Sequence, residues 1–141
     1  METKSIPAII SDTRASINRH LLKELNRLGI KGLAPSHGAI LFHLFNNEQV
    51  TMKELAKAVR RDKSTVTALV AKLVCAGYVQ KVRSPEDQRT VCVTLSEGGK
   101  ALKPSFEEIS EALIARVRQG IDEEEQRELV RILKKVRANF P

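Results

Sequence analysis

Tryptophan is absent from this 141-residue chain, and tyrosine occurs once, at Tyr78. The four phenylalanines, Phe42, Phe45, Phe106 and Phe140, are not interleaved with basic residues. Single-stranded nucleic acid is usually held on aromatic stacking platforms, so that ligand is disfavoured. The same scarcity argues against a membrane-surface helix, which would set Trp or Phe opposite a basic face. Cys75 and Cys92 are too few for a disulfide framework and cannot by themselves supply four zinc ligands. His37 and His43 are six residues apart, on different sides of a helix, and His20 is the one other histidine. No metal site and no cofactor are therefore expected. The histidines have no catalytic spacing with either cysteine and no Gly-rich phosphate loop occurs, so an enzyme is not expected. The longest stretch without a charge, Gly32 to Asn47, contains Pro35, Ser36, His37, Gly38, Asn46 and Asn47. It falls short of the roughly 18–20 apolar residues of a membrane span. Nor does the chain open with a basic cap and apolar core like a signal peptide, and the expected location is the cytoplasm.

What is plentiful is positive charge, and it is localised. The net charge is +7, of which residues 51–95 hold +5, residues 1–50 hold +2 and residues 96–141 none. Such a basic region either meets a polyanion through phosphate contacts or is a solvated face. With stacking aromatics missing, duplex DNA is the better candidate polyanion.

Periodicity supplies the elements. Ile6, Ile9, Ile10, Ile17, Leu21, Leu25 and Leu28 recur at helical spacing and predict a first helix near residues 5–29, stopped by Gly29. A second is predicted from Pro35 to Phe45, a third over Met52 to Arg60, and a fourth from an Asp62 cap to Ala76, closed by Gly77. Tyr78 to Arg83 and Thr90 to Leu95 are β-prone runs joined by a polar loop. In the second run Val91, Val93 and Leu95 face inward and Thr90, Cys92 and Thr94 outward. A helix capped by Ser96, weakened by Gly98 and Gly99, kinks or restarts at Pro104 and runs to Gly120. The last is capped by Asp122 with Glu125 and carries Leu129, Ile132, Leu133 and Val136 on one face. The fold class is thus mainly α with a small β-hairpin wing.

The third and fourth helices have the short lengths and tight connection of a helix–turn–helix. Val66, Leu69, Val70, Leu73 and Val74 form the buried side of the fourth. Ser64, Ala68, Ala71, Lys72 and Cys75 lie opposite, with Thr65 and Thr67 on the shoulders. Small polar side chains near a helix N-terminus allow close approach to base edges, and Arg60, Arg61 and Lys63 gather at the same end. An ordinary surface helix also begins with serine and threonine, so this helix alone does not decide. The hairpin adds Arg89 near its tip, where a guanidinium can enter a minor groove, and Asp87 in position to hold Arg89 or a base.

The run Asp62-Lys63-Ser64-Thr65-Val66-Thr67-Ala68-Leu69-Val70, then Leu73, Gly77-Tyr78-Val79, Pro85, Asp87, Arg89, Val93, Leu95 and Gly99, resembles the signature of the MarR family. The flanking helices fit the same layout. The resemblance implies a homodimeric winged helix-turn-helix regulator, usually a repressor, released from a double-stranded operator by a small-molecule effector or an oxidant. It assigns recognition-helix contacts to Ser64, Thr65 and Thr67, the minor-groove arginine to Arg89 and its acidic partner to Asp87. Lys53, Arg61, Lys63, Ala68 and Lys72 complete the expected DNA-binding set. Ala34 stands where the family often has a capping threonine, His37 where glutamine is common, and the first helix lacks the cysteine of the family's peroxide sensors.

Three segments follow: an N-terminal dimerisation helix (1–32), a winged helix-turn-helix (33–98) and C-terminal dimerisation helices (99–141). The outer helices have stripes that a winged helix of about 60 residues cannot bury, so they are expected to pack on a second copy. An effector is expected between them and the winged helix, with His37, Gly38 and Phe42 as candidate ligand-binding residues, each of which is otherwise core or surface. Cys75 is either an inert thiol or one whose oxidation would obstruct DNA docking. Two other readings stay open: an adaptor that binds protein through a winged helix, and a thiol-based redox regulator.

Overall fold

A computed structural model of the chain describes residues 2–30 and 32–141. A short 3-10 turn (Glu2–Ser5) leads into α1 (Ile6–Arg27), where Pro7 sits in the first turn, which needs no N–H donor. The end of α1 is amphipathic in the ordinary way. Leu25 is buried, Leu21 and Leu28 pack half-buried against the core, and the other end leaves Ile6, Ile9 and Ile10 exposed.

Helix α2 (Pro35–Phe45) is the central beam, with His37, Gly38, Ile40, Leu41 and Leu44 buried. Ala34 precedes it and has no side-chain oxygen to cap with. The free backbone N–H of Ala34 donates instead to Nδ1 of His37 at 2.9 Å. At the other end the amides of Asn46 and Asn47 donate to the carbonyls of Phe42 and His43, satisfying acceptors that have no intrahelical partner.

A two-residue strand, β1 (Val50–Thr51), then gives way to α3 (Met52–Val59) through a reciprocal cap. The Glu54 N–H donates to Thr51 Oγ1 and the Thr51 N–H to Glu54 Oε2, both at 3.0 Å. Helix α4 (Lys63–Cys75) follows after a three-residue turn, and β2 (Val79–Arg83) and β3 (Val91–Leu95) form the hairpin. The strand order is β1-β3-β2, all antiparallel. β1 was not foreseen, and it corrects the expected exposure of Cys92, which lies on the opposite face from Val93 and Leu95 yet is covered. That residue is 4% exposed although it is not part of the core cluster. Thr51 pairs with it on one side and Val82 on the other, so a strand expected at a hairpin edge is the middle of the sheet.

Beyond the hairpin a single turn, α5 (Glu97–Lys100), is capped by Ser96, whose hydroxyl accepts from Gly99 N–H and donates to the Gly77 carbonyl. A Cβ on Gly99 would lie 2.0 Å from the Tyr78 carbonyl oxygen, so glycine is what lets this turn seat on the α4–β2 junction. The helix restarts as α6 (Lys103–Arg118) with Pro104 in its first turn, as expected, and Phe106 and Ile109 are buried. One compact unit spans Met1–Ile109. Its core is built on Ile40, Leu41, Leu55, Val66, Val70, Leu73 and Val93, all shielded from solvent.

The second unit, Ser110–Pro141, holds the rest of α6 and α7 (Glu123–Ala138). Asp122 and Glu125 cap α7 reciprocally, and Glu123, Glu124 and Glu125 complement the helix dipole. No residue of α7 is buried, although Leu129, Ile132 and Leu133 carry its apolar stripe.

Candidate nucleic-acid interface

The turn from α3 into α4 is built around two residues. Arg60 ends α3 in the left-handed conformation (φ 57°, ψ 44°), the one non-glycine residue with positive φ among those described. Its N–H and that of Arg61 close back on the Lys57 and Ala56 carbonyls. Asp62 then caps α4. Its Oδ1 accepts the Thr65 N–H at 2.7 Å and the Ser64 hydroxyl at 2.8 Å. The Thr65 N–H bond, the Ser64 and Thr65 hydroxyls and nearby Arg61 hold the Asp62 carboxyl below its ordinary value, so it is a carboxylate at neutral pH.

Val66, Val70 and Leu73 fix α4 on the core, with Leu69 half-buried; Val74, expected on the buried side, is 39% exposed. Opposite them Ser64, Thr67, Ala68, Ala71, Lys72 and Cys75 are exposed and Thr65 half-exposed, as the spacing predicts. The Thr67 hydroxyl donates to the Lys63 carbonyl at 2.8 Å. Lys53 on α3, Arg60, Arg61 and Lys63 are exposed, and none makes an ion pair among the described residues. Gly77 ends the α4 turn at φ +84°, where any side chain would be strained.

The hairpin loop is ordered by its own polar atoms. Asp87 receives the Arg89 N–H on Oδ1 at 3.0 Å and the Thr90 hydroxyl on Oδ2 at 3.2 Å. Arg83 donates to the Gln88 carbonyl at 2.8 Å, and Ser84 and Thr90 close the base of the loop. Asp87 therefore grips the backbone of Arg89, not its guanidinium, which stays exposed and unpaired among the described residues. The loop aims Arg89 outward by a short Asx-type turn.

Of the three residues expected around a ligand, Gly38 and Phe42 line one apolar cavity of about 190 Å³ together with Leu21, Leu25, Phe106 and Ile109. Phe42, Phe45 and Phe106 pack edge to face or tilted, with ring centroids 5.5–5.9 Å apart. His37 is not in that wall. It is buried beneath the start of α2, where burial, then the charge of Lys72, lowers its pKa. Sequence reasoning had one available signal for this role, the three-residue spacing from Ala34 that a glutamine or glutamate would use in a capping box. Cys75 is exposed and Cys92 buried. Among the described residues no three His, Cys, Asp or Glu side chains could hold a metal ion, and no helix is long and apolar enough to cross a membrane.

Comparison with known proteins converges on this same region. The sequence profile of the MarR family matches residues 33–91, from just before α2 to the start of β3. The transcriptional regulator SarZ of Staphylococcus haemolyticus is 35% identical over 100 residues, covering 71% of this chain and 67% of that protein. SarZ of Staphylococcus aureus (strain USA300) is 37% identical over 71 residues, so the chain spans about half, 48%, of that relative. In fold, the chain is similar to a mutant MarR from E. coli complexed with operator DNA, with a TM-score of 0.83 at 24% identity over 100% of this chain and 99% of that one. A MarR transcriptional regulator from Methanosarcina mazei Go1 gives 0.80 at 24% identity over 97% and 96%.

Proposed function

Because this chain belongs to the MarR family of winged-helix transcriptional regulators, we propose that it binds a palindromic double-stranded operator as a homodimer and represses the genes beside it. Helix α4 enters the major groove, and the wing lays Arg89 into the adjacent minor groove. The observation that carries this reading is the exposed small-polar start of α4, ringed by cations that make no close ion pair among the described residues: Arg60, Arg61, Lys63 and Lys53. Ser64, Thr65, Thr67 and Ala68 reach base edges, Lys72 and the other cations hold phosphates, and Asp87 shapes the wing. The apolar stripes on α1, α6 and α7 support two-fold pairing, which sets the two α4 helices one DNA turn, roughly 34–36 Å, apart.

Release comes from a lipophilic effector in the cavity lined by Gly38 and Phe42, which it must occupy more tightly in one dimer spacing than in another. Duplexes from around the protein's own gene, titrated with salt, test the DNA reading. The expected result is a steep salt slope and strong preference for one palindrome. Arg89→Ala and Thr65→Ala should each weaken that binding by about 1–3 kcal/mol while leaving the dimer intact. Equal affinity of both variants and the parent would remove these residues from the interface. Salt-insensitive capture of a protein instead would favour an adaptor.

A further inference from the structure

Two hydroxyl groups on the reading face of α4, those of Ser64 and Thr67, are not free to serve as donors. The Ser64 hydroxyl donates to Asp62 Oδ1, and the Thr67 hydroxyl to the Lys63 carbonyl. Thr65 reaches Asp62 through its backbone N–H. Asp62 accepts these bonds as a carboxylate, and a carbonyl can only accept, so the direction of each proton is fixed. What Ser64 and Thr67 offer outward is oxygen lone pairs, and the threonines add Cγ2 methyl groups. Ala68 and Ala71 add methyls on the same exposed side. No Arg, Asn or Gln stands anywhere in Lys63–Cys75, and its two lysines are at the first position and near the end.

We infer that α4 reads A·T base pairs, its Ser and Thr oxygens accepting from adenine N6 amines and its methyl groups packing on thymine C5 methyls. In the major groove an acceptor-only surface needs a base that donates, which leaves adenine N6 and cytosine N4. Each pair shows one donor and two acceptors there, adenine N7 and thymine O4 in one and guanine N7 and O6 in the other, so what separates them for this surface is the thymine C5 methyl, a partner for the threonine Cγ2, Ala68 and Ala71 methyls that a G·C pair lacks. An A·T pair offers both the amine and, across the pair, that methyl. The surface thus favours A·T over G·C through its methyl contacts. This inference rests on the proposed insertion of α4 into the major groove, and its test separates the two.

The full-length protein is first used to select from a pool of random duplexes, and the preferred duplex is then rebuilt with base analogues. Inosine·cytosine looks like A·T in the minor groove and like G·C in the major groove; 2,6-diaminopurine·thymine is the reverse. At the positions under α4, inosine·cytosine should weaken binding by at least about fivefold, whereas diaminopurine·thymine should leave it unchanged. Replacing thymine with uracil there should cost about two- to fourfold. Thr67→Ser, which keeps the oxygen and removes the methyl, should abolish the uracil effect at its contact, and Arg89→Ala should leave the inosine penalty intact. A consensus with G·C pairs under α4, or indifference to inosine·cytosine, overturns the inference while leaving DNA binding standing. Failure to enrich any duplex overturns the DNA-binding proposal and the inference with it.

Discussion

His37 and Arg60 each occupy a position where another residue type is the usual choice. His37 spends its Nδ1 lone pair on the Ala34 N–H, which a protonated imidazole cannot do, and it is buried within the field of Lys72. Its folded pKa therefore lies below the unfolded value near 6.5. Between those two values the unfolded chain binds more protons, so stability is full above about pH 6.5 and declines as the pH falls through it. His37→Gln supplies an acceptor that does not titrate, and should shrink the drop in Tm between about pH 7.5 and pH 5.5 while keeping most of the stability at pH 7.5. An unchanged drop in calorimetry would place the acid sensitivity elsewhere. Arg60 presents the opposite case, since left-handed backbone costs an L-residue roughly 1–2 kcal/mol. Arg60→Gly should stabilise the fold by about 0.5–1 kcal/mol, part of the relief being offset by the freer unfolded chain. It should also weaken duplex binding and reduce the salt slope by about one if the guanidinium meets a phosphate. Gains in both stability and affinity would deny Arg60 a place at the DNA.

At the scale of elements, two glycines that look alike in sequence do different work. Gly99 is where α5 rests on the Tyr78 carbonyl, and Gly99→Ala should cost about 2 kcal/mol or more because backbone must move. Gly38 lies inside α2, where an added Cβ would meet only Phe106 at 3.5 Å, an ordinary contact. Gly38→Ala should raise stability by up to about 1 kcal/mol through helix propensity and narrow the apolar cavity beside it. Urea unfolding of both variants checks the pair. A helical period announced α2, α3 and α4 because one face of each meets the core, and Asp62, Gly77 and Asp122 marked ends whose chemistry is local. The candidate interface was legible for the same reason: α4 buries one side, so its other side follows from the spacing. Other features depended on distant residues. β1 is two residues long and exists because β3 has a second edge to pair, so no alternation could reveal it, and the burial of Cys92 went unread with it. The capping role of His37 was hidden because histidine is an uncommon substitute for the glutamine or glutamate of a capping box.

For the whole molecule the unresolved surface is apolar. Ile114 and Val117 of α6 and Leu129, Val130, Ile132 and Leu133 of α7 are each 43–52% exposed. Isolated apolar side chains on a surface are normal, but six on two successive helices of one small unit make a patch of the kind that marks an interface. Burying such side chains is worth roughly 1.5–3 kcal/mol each when complete, enough in sum to offset the cost of association. If that surface joins two copies, then affinity for a palindrome contains a contribution from linkage alone, of about 100- to 10,000-fold, that no DNA-contacting residue supplies. Leu129→Asp with Leu133→Asp should therefore give a monomer in sedimentation whose winged helix still melts cooperatively. It should bind a palindrome no more tightly than a single half-site, while the parent prefers the palindrome strongly. A variant that stays dimeric would move the interface away from α7, and a monomer that still distinguishes palindrome from half-site would mean that the two halves of the operator are not read by linked copies of α4.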